Sequence, residues 1–105
     1  MNAQEAFELG AKYLEKQDLH NALVAFREAI RIDPDLAQAH NGLSVTCELM
    51  GNRPQALLAC CEAIRLDPSV PEFYRTRGNI YDRMGDEAAA DADWSKAEDL
   101  EASQE

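Results

Sequence analysis

The hexapeptide Ala29-Ile30-Arg31-Ile32-Asp33-Pro34 returns 34 residues later as Ala63-Ile64-Arg65-Leu66-Asp67-Pro68. The two copies differ only by the exchange of one isoleucine for leucine. In a chain of 105 residues, near-identity over six positions at a fixed offset indicates an internal repeat. At this offset the chain divides without gaps into three units: 3–36, 37–70 and 71–104.

Each unit contains two segments whose apolar residues recur at helical spacing. The Asp-Pro pairs 33–34 and 67–68 end the second segment of units one and two, because the residue before a proline is pushed out of the helical region. Capping boxes that start helices are predicted at three places: Asn2 with Glu5, Asp35 with Gln38, and Ser69 with Glu72. The pattern therefore predicts an all-α chain of six helices in three antiparallel hairpins.

Small and large side chains also recur in register. The small positions are Gly10, Ser44 and Gly78, then Ala22, Ala56 and Ala90, then Ala29, Ala63 and Ala97. The positions of large side chains or their substitutes are Tyr13, Cys47 and Tyr81, then Phe26, Cys60 and Trp94. Small residues let two helices approach, and a large residue one turn away fills the remaining space.

This pattern resembles the tetratricopeptide repeat (TPR) family. Unit one carries the family's residues as Leu9, Gly10, Tyr13, Ala22, Phe26, Ala29 and Pro34. Unit two departs from them at Ser44, Cys47 and Cys60; unit three restores Tyr74, Gly78, Tyr81 and Trp94 but has Ala102 where proline is expected. The resemblance implies a right-handed α-solenoid of three helix-turn-helix units in a single domain, 1–105.

The last helix, expected at about 87–101, is strongly acidic. Asp91 stands where the other units have Leu23 and Leu57, and Glu98 stands where they have isoleucine. Charged residues at positions that would face a following repeat are typical of the end of a solenoid. We therefore expect this helix to act as an acidic cap that completes the array at three repeats, and this favours a whole protein over a segment of a longer one. An ordinary solvated face would show the same composition.

Composition excludes several classes of function. The chain has 10 Lys and Arg against 20 Asp and Glu, a net charge of −10, which disfavours nucleic acid and anionic membranes as partners. No apolar run approaches the ~20 residues of a membrane span, and no signal-peptide pattern begins the chain, so we expect a cytoplasmic protein. Three cysteines without CxxC spacing do not form a disulfide framework or a metal site.

Catalytic motifs are missing from the sequence. There is no phosphate-binding glycine loop, nucleophile motif or pair of carboxylates in a recognisable arrangement. His40 occupies the position of Tyr74 in the next unit, so it is expected to pack rather than to bind a metal. Of the cysteines, Cys61 is the better candidate for a reactive thiol. We expect no enzyme, cofactor or metal.

Binding is the expected function. In arrays of helical hairpins the first helix of each unit lines a concave face. One stripe on these helices is expected to face that groove: Phe7, Ala11, Leu14, Asn41, Val45, Glu48, Arg75, Asn79 and Asp82. The predicted ligand is a peptide segment of a partner protein, with apolar side chains over Phe7 and Val45 and an acidic or amide group near Arg75. Two alternatives stay open: helix two or a terminus covers Phe7 and Leu14, or Arg75 pairs locally with Glu72 or Asp82.

The resemblance also implies a contrast with part of the family. Many TPR domains hold the C-terminal carboxylate of heat-shock chaperones in a clamp of Lys, Asn and Arg side chains. The matching positions here are Phe7, Ala11, Gly42, Glu72 and Thr76, and none keeps its clamp residue. We therefore expect no binding of that tail. The alternative functions are self-association through the first helix, as a weak homodimer, and a co-chaperone role for apolar or secreted clients.

Overall fold

A computed structural model describes residues 1–104 and shows six α-helices and no strand among them. The helices are α1 (Ala3–Glu15), α2 (Leu19–Ile32), α3 (Ala37–Leu49), α4 (Arg53–Leu66), α5 (Pro71–Arg83) and α6 (Glu87–Ser103). The odd-numbered helices begin 34 residues apart, and each packs mainly against the even-numbered helix that follows it. The predicted all-α architecture is confirmed, and α6 continues two residues beyond the expected end at Glu101.

The first predicted capping box is confirmed. The backbone N–H of Glu5 donates to Asn2 Oδ1 at 2.8 Å, and the backbone N–H of Asn2 donates to Glu5 Oε1 at 3.0 Å. Each side chain thus satisfies a backbone donor that has no partner inside α1. The start of the first repeat is therefore fixed by local chemistry alone.

The other two predicted capping boxes are wrong. The caps of α3 and α5 are Leu36 and Val70, and neither makes a side-chain capping bond. Asp35 instead donates its backbone N–H to Asp33 Oδ1 at 3.0 Å, and the Ser69 hydroxyl donates to Asp67 Oδ1 at 2.7 Å. The aspartate of each Asp-Pro pair organises the turn that follows it, and this keeps the expected capping residues outside the helix.

Close helix approaches occur at two of the predicted small positions, Gly10 and Gly78, and also at Gly42, which the repeat pattern did not indicate. A Cβ atom built on Gly10 would lie 2.7 Å from the Phe26 ring, and one built on Gly42 would lie 2.5 Å from the same ring. Phe26 is 1% exposed, so its ring fills the space between α1 and α3 and joins the first two repeats. In the third repeat, a Cβ on Gly78 would lie 2.6 Å from Trp94.

The two joints between repeats use the same hydrogen bond. His40 Nε2 lies 2.8 Å from the carbonyl oxygen of Pro34, and the Tyr74 hydroxyl donates to the carbonyl oxygen of Pro68 at 3.0 Å. Both side chains are thereby fixed against the turn of the preceding repeat. The expectation that His40 packs at the position of Tyr74 is confirmed.

The charged positions of α6 differ in environment from their equivalents. Leu23 and Ile30 are partly buried against the second repeat, whereas Asp91 and Glu98 are exposed. The acidic face of α6 is therefore solvated along these positions. Its role as a cap stays a prediction.

Candidate functional site

An apolar cleft of about 310 Å³ lies between α1, α3 and the start of α5. Five of the nine residues predicted for the groove line it, namely Phe7, Ala11, Leu14, Asn41 and Val45. The remaining wall comes from Phe26, Gly42 and Phe73, with Gln38 and Glu72 at the side facing the next cleft. We call this space the apolar cleft.

Phe7 is only partly covered by its own repeat. Its ring centroid lies 5.8 Å from that of Phe26, at an interplanar angle of 47°, and the side chain keeps intermediate exposure. Leu14 and Val45 are also partly exposed. Neither helix two nor a terminus within the described residues buries these side chains, so the apolar cleft offers accessible hydrophobic surface.

Asn41 is more deeply buried than the sequence suggested. The residue is 6% exposed, and its Oδ1 atom has no hydrogen-bond partner among the described residues. An unpaired buried carbonyl oxygen costs about 1–3 kcal/mol of desolvation. The side chain that the prediction placed openly in the groove is thus an unsatisfied acceptor in the cleft wall.

A second cleft of about 370 Å³ adjoins the first and is acidic. It shares Gln38, Glu72 and Phe73 with the apolar cleft and adds the carboxylates of Asp35 and Asp67. No Lys, Arg or His lines either space. We call the second space the acidic cleft and the two together the groove.

Hydrogen bonds keep one of these carboxylates ionised. The side chain and the backbone N–H of Ser69 both donate to Asp67, and they lower the pKa of that carboxyl below its ordinary value. Asp35 and Glu72 are exposed and form no ion pair within residues 1–104. The acidic cleft therefore contains three acidic side chains, none of which is paired with a cation within residues 1–104.

Further along α3 and α5, two of the predicted residues are held by internal contacts. Glu48 pairs with Arg83 at 3.1 Å and lies 3.5 Å from Arg53. Asn79 Oδ1 accepts a hydrogen bond from Trp94 Nε1 at 3.2 Å. Both residues line a smaller space of about 130 Å³, which shares only Val45 with the apolar cleft.

Arg75 and Asp82 lie outside both clefts of the groove. Arg75 forms an ion pair with Glu101 at the far end of α6, because α6 runs back along α5 and brings that end beside the start of α5. A local pair with Glu72 or Asp82, the alternative that the sequence left open, does not form. The cation expected to receive an acidic ligand group is therefore already engaged inside the chain.

The third repeat contains an ion pair that was not predicted from the sequence. Arg77 donates to both oxygens of Asp93, at 2.9 and 2.8 Å, and its guanidinium lies 5.7 Å from the Tyr74 ring centroid and 3.8 Å from Cys61 Sγ. The hydrogen bonds to Asp93 raise the pKa of Arg77, and Asp93 is only 5% exposed. One acid of the last helix is thus structural.

A signal for this pair was present in the repeat alignment. Where the third unit has Arg77, the other two units have Leu9 and Leu43; where it has Asp93, they have alanine. Two opposite charges that replace two apolar residues at once indicate a compensated change. The ion pair could therefore have been predicted by comparing these two repeat positions together across the three units.

Two of the three cysteines are buried. Burial raises the pKa of Cys60 to about 12 and also raises the pKa of Cys47, so both thiols stay protonated at neutral pH. All three cysteines are free. Within residues 1–104, no three His, Cys, Asp or Glu side chains form a group that could hold a metal, and no helix is long and apolar enough to cross a membrane.

Comparison with known proteins identifies the repeat. The family model for the TPR repeat matches residues 10–51, and all six helices superpose on solved TPR structures. Residues 10–51 carry the tetratricopeptide repeat. No curated protein sequence matches the chain.

Three solved structures illustrate the likeness of this chain to TPR domains in fold. The complex of the TPR2B domain of yeast Sti1 with pHsp70 has a TM-score of 0.92 and 26% identity, over 96% of this chain and 81% of that one. The second TPR of Spaghetti (RPAP3), bound to the HSP90 peptide SRMEEVD, has a TM-score of 0.89 and 19% identity, over 95% and 93%. MamA has a TM-score of 0.89 and 23% identity, and the chain spans 60% of its length while 98% of this chain is matched.

Two positions that match the carboxylate clamp are unsuited to an acidic tail in this TPR groove. Gly42 lies against the Phe26 ring, where even a Cβ would approach to 2.5 Å. Glu72 joins the acidic cleft. The first position has no room for a side chain, and the second repels a carboxylate.

Proposed function

We propose that this TPR chain is a non-enzymatic protein–protein interaction module that binds a peptide segment of a partner protein in the groove. The observation that carries the proposal is the apolar cleft, in which Phe7, Leu14 and Val45 remain accessible beside an unpaired acceptor on Asn41. Concave apolar spaces with a few polar groups are the usual form of ligand sites.

The solved neighbours support this class of function. Two of them are TPR domains in complex with an HSP90 peptide and with pHsp70. We do not extend those ligands to this chain, because its groove carries Glu72 where a clamp cation would stand. A module that binds a partner in this way and has no catalytic activity would act as a scaffold or adaptor.

The proposed anchor is an apolar side chain that contacts Phe7 and Val45. The acidic or amide group first expected near Arg75 is not retained, since Glu101 already pairs with that guanidinium. The contact surface is therefore assigned to α1, α3 and the first turn of α5 rather than to the whole concave stripe.

The test is selection from a displayed library of random twelve-residue peptides, with affinities of the selected peptides measured by fluorescence polarisation. The double variant Phe7→Glu/Val45→Glu should bind them at least about 10-fold more weakly, because two charges then enter the apolar cleft. The matched control is Val24→Glu/Leu58→Glu, which adds the same charges at exposed positions outside the groove. Circular dichroism establishes that all three proteins are equally helical.

Two results would overturn the assignment. If the selected peptides bind the groove variant as tightly as the wild type, the working surface lies elsewhere. If the control variant loses binding to the same extent, added negative charge rather than position explains the effect.

A second candidate function is self-association, favoured by an exposed apolar surface at the first repeat. Met1 is 75% exposed and Val24 is 55% exposed, and both border a cleft of about 200 Å³ with Leu9 and Tyr13. Sedimentation at varied concentration should show dimers in the wild type and monomers in Val24→Glu. Leu58→Glu is the matched control, because Leu58 is the repeat equivalent of Val24. A wild type that stays monomeric at every concentration excludes this candidate.

A further inference from the structure

We infer that the groove binds a basic peptide segment, with an apolar residue in the apolar cleft and a Lys or Arg side chain a few residues away over the acidic cleft. This inference rests on the proposed function and names its ligand class. It commits to a charge opposite to that of an acidic chaperone tail.

The electrostatics of the groove favour a cation. Asp35, Asp67 and Glu72 line the acidic cleft, and no basic residue lines either part of the groove. A concave surface with charges of one sign concentrates the field and attracts the opposite sign. The net charge of −10 acts in the same direction over longer distances.

Basic residues elsewhere in the repeats do not neutralise these carboxylates. Arg31 pairs with Glu28, Arg65 pairs with Glu62, and Arg75 pairs with Glu101. Each arginine is thus held by a carboxylate on a helix surface outside the groove. Within residues 1–104 no Lys, Arg or His forms an ion pair with the acidic cleft, and the charge of Arg65 acts on Asp35 only at longer range, so a basic side chain of a ligand can bind there.

An independent observation also points to a ligand with N–H groups. Asn41 is 94% buried in the wall of the apolar cleft, and its carbonyl oxygen has no partner. The oxygen itself is closed off from solvent, so the Asn41 side chain has to rotate toward the cleft before a donor from a bound segment can satisfy it and recover the desolvation cost. The backbone amide of an extended peptide is such a donor.

The two clefts can be filled by one continuous segment. They share Gln38, Glu72 and Phe73, so the two clefts are adjacent and only these side chains lie between them. An extended peptide advances about 3.3 Å per residue. The apolar anchor and the basic side chain therefore lie within a few residues of each other in the ligand.

The experiment uses three fluorescent peptide mixtures that share a central Leu and random Ser and Gly flanks. Two positions on each side of Leu are restricted to Lys and Arg, to Gln and Ser, or to Asp and Glu. Affinity is measured by fluorescence polarisation at 50 and 200 mM NaCl. We expect the basic mixture to bind at least about 10-fold more tightly than the neutral one and to weaken as salt rises, while the acidic mixture does not bind.

Matched variants locate the effect. Asp35→Asn/Glu72→Gln should weaken the basic mixture about 3- to 10-fold and leave the neutral mixture unchanged, since exposed ion pairs are modest individually. Glu87→Gln/Glu98→Gln removes the same charge at exposed positions of α6 and should leave both affinities unchanged. Equal loss in the two variants would mean that net charge, not the acidic cleft, attracts the peptide, and would overturn the inference.

Asn41→Leu tests the hydrogen bond separately from the charge. The variant should bind both the basic and the neutral mixture several-fold more weakly while it unfolds at the same or a higher urea concentration, because an unpaired buried polar group has been removed. Unchanged affinity would contradict the assigned role of Asn41, and lower stability would show that the residue serves the core.

The outcomes separate the two proposals. If the neutral mixture binds as tightly as the basic one, and Phe7→Glu/Val45→Glu abolishes both, the groove is a peptide site but not a basic one. If no mixture binds in a manner that depends on Phe7 and Val45, the proposed function fails together with the inference.

Discussion

The joint between the first two repeats and the interior of the third repeat are stabilised by different kinds of contact. In the joint, the Phe26 ring fits between Gly10 and Gly42 in a contact made only of apolar atoms and backbone. In the third repeat, Arg77 and Asp93 replace the leucine and alanine of the earlier units and form a two-bond ion pair.

This difference determines where the surface stays open. Clefts of about 200 and 270 Å³ lie beside Leu9 in the first repeat and beside Leu43 in the second. In the third repeat the equivalent residue is Arg77, whose side chain crosses to Asp93. The repeat thus fixes the backbone, while a few side chains decide whether a given surface is apolar and accessible or polar and closed.

The largest effect is expected from Phe26→Ala. The ring is 1% exposed and touches both glycines, so its removal leaves a cavity that the close helices cannot fill. We expect a loss of about 3–5 kcal/mol in the free energy of unfolding, measured by urea denaturation. A loss below about 1 kcal/mol would mean that the joint repacks easily and that the contrast with the third repeat is false.

A smaller effect, with a compensating variant, is expected at the ion pair. Asp93→Ala leaves the partly buried Arg77 guanidinium without its acid and should cost about 2–3 kcal/mol. The double variant Arg77→Leu/Asp93→Ala installs the residues that the other repeats carry and should return the urea midpoint to the wild-type value or above it. A double variant no more stable than Asp93→Ala would show that the ion pair cannot be exchanged for apolar packing.

The smallest effect concerns the buried thiol of the second repeat. The pKa of Cys60 is raised from 9.0 to about 12 by burial in the folded chain. Because the folded chain raises this pKa, the thiol adds to the free energy of unfolding below pH 9, and this contribution is lost as the pH rises toward 12. At pH 10 the loss is about 1 kcal/mol relative to a protein without the thiol. Urea midpoints between pH 8 and 11 should therefore fall less steeply in Cys60→Ala than in the wild type, and equal slopes in the two proteins would contradict this expectation.

Much of the fold could be predicted because it repeats. The Asp-Pro pairs and the spacing of small residues specify helices and their close approaches through local rules. The same reasoning placed Phe7, Leu14 and Val45 at the groove, where they lie. It failed for the caps of α3 and α5. There Asp33 and Asp67 accept the backbone N–H groups of Asp35 and Ser69, which a capping box would have directed to the side chains of Gln38 and Glu72.

The remaining parts of the site depend on contacts across the chain. The sequence predicts that α6 returns along α5, but the pairing of Arg75 with Glu101 depends on how the two helices pack and could not be predicted. The acidic cleft likewise joins Asp35 and Asp67 from equivalent turns of two repeats with Glu72 from α5. The sequence contained these residues without indicating that they meet.

The sequence by itself determined six helices, a 34-residue frame and an apolar stripe on the first helices, because helix caps, proline breaks and periodicity act over a few residues. The tertiary structure alone decided which charged side chains form ion pairs between helices and which face the groove. The ion pairs Arg75–Glu101 and Arg77–Asp93 join two helices, and only the packing of those helices brings the charged groups within about 4 Å.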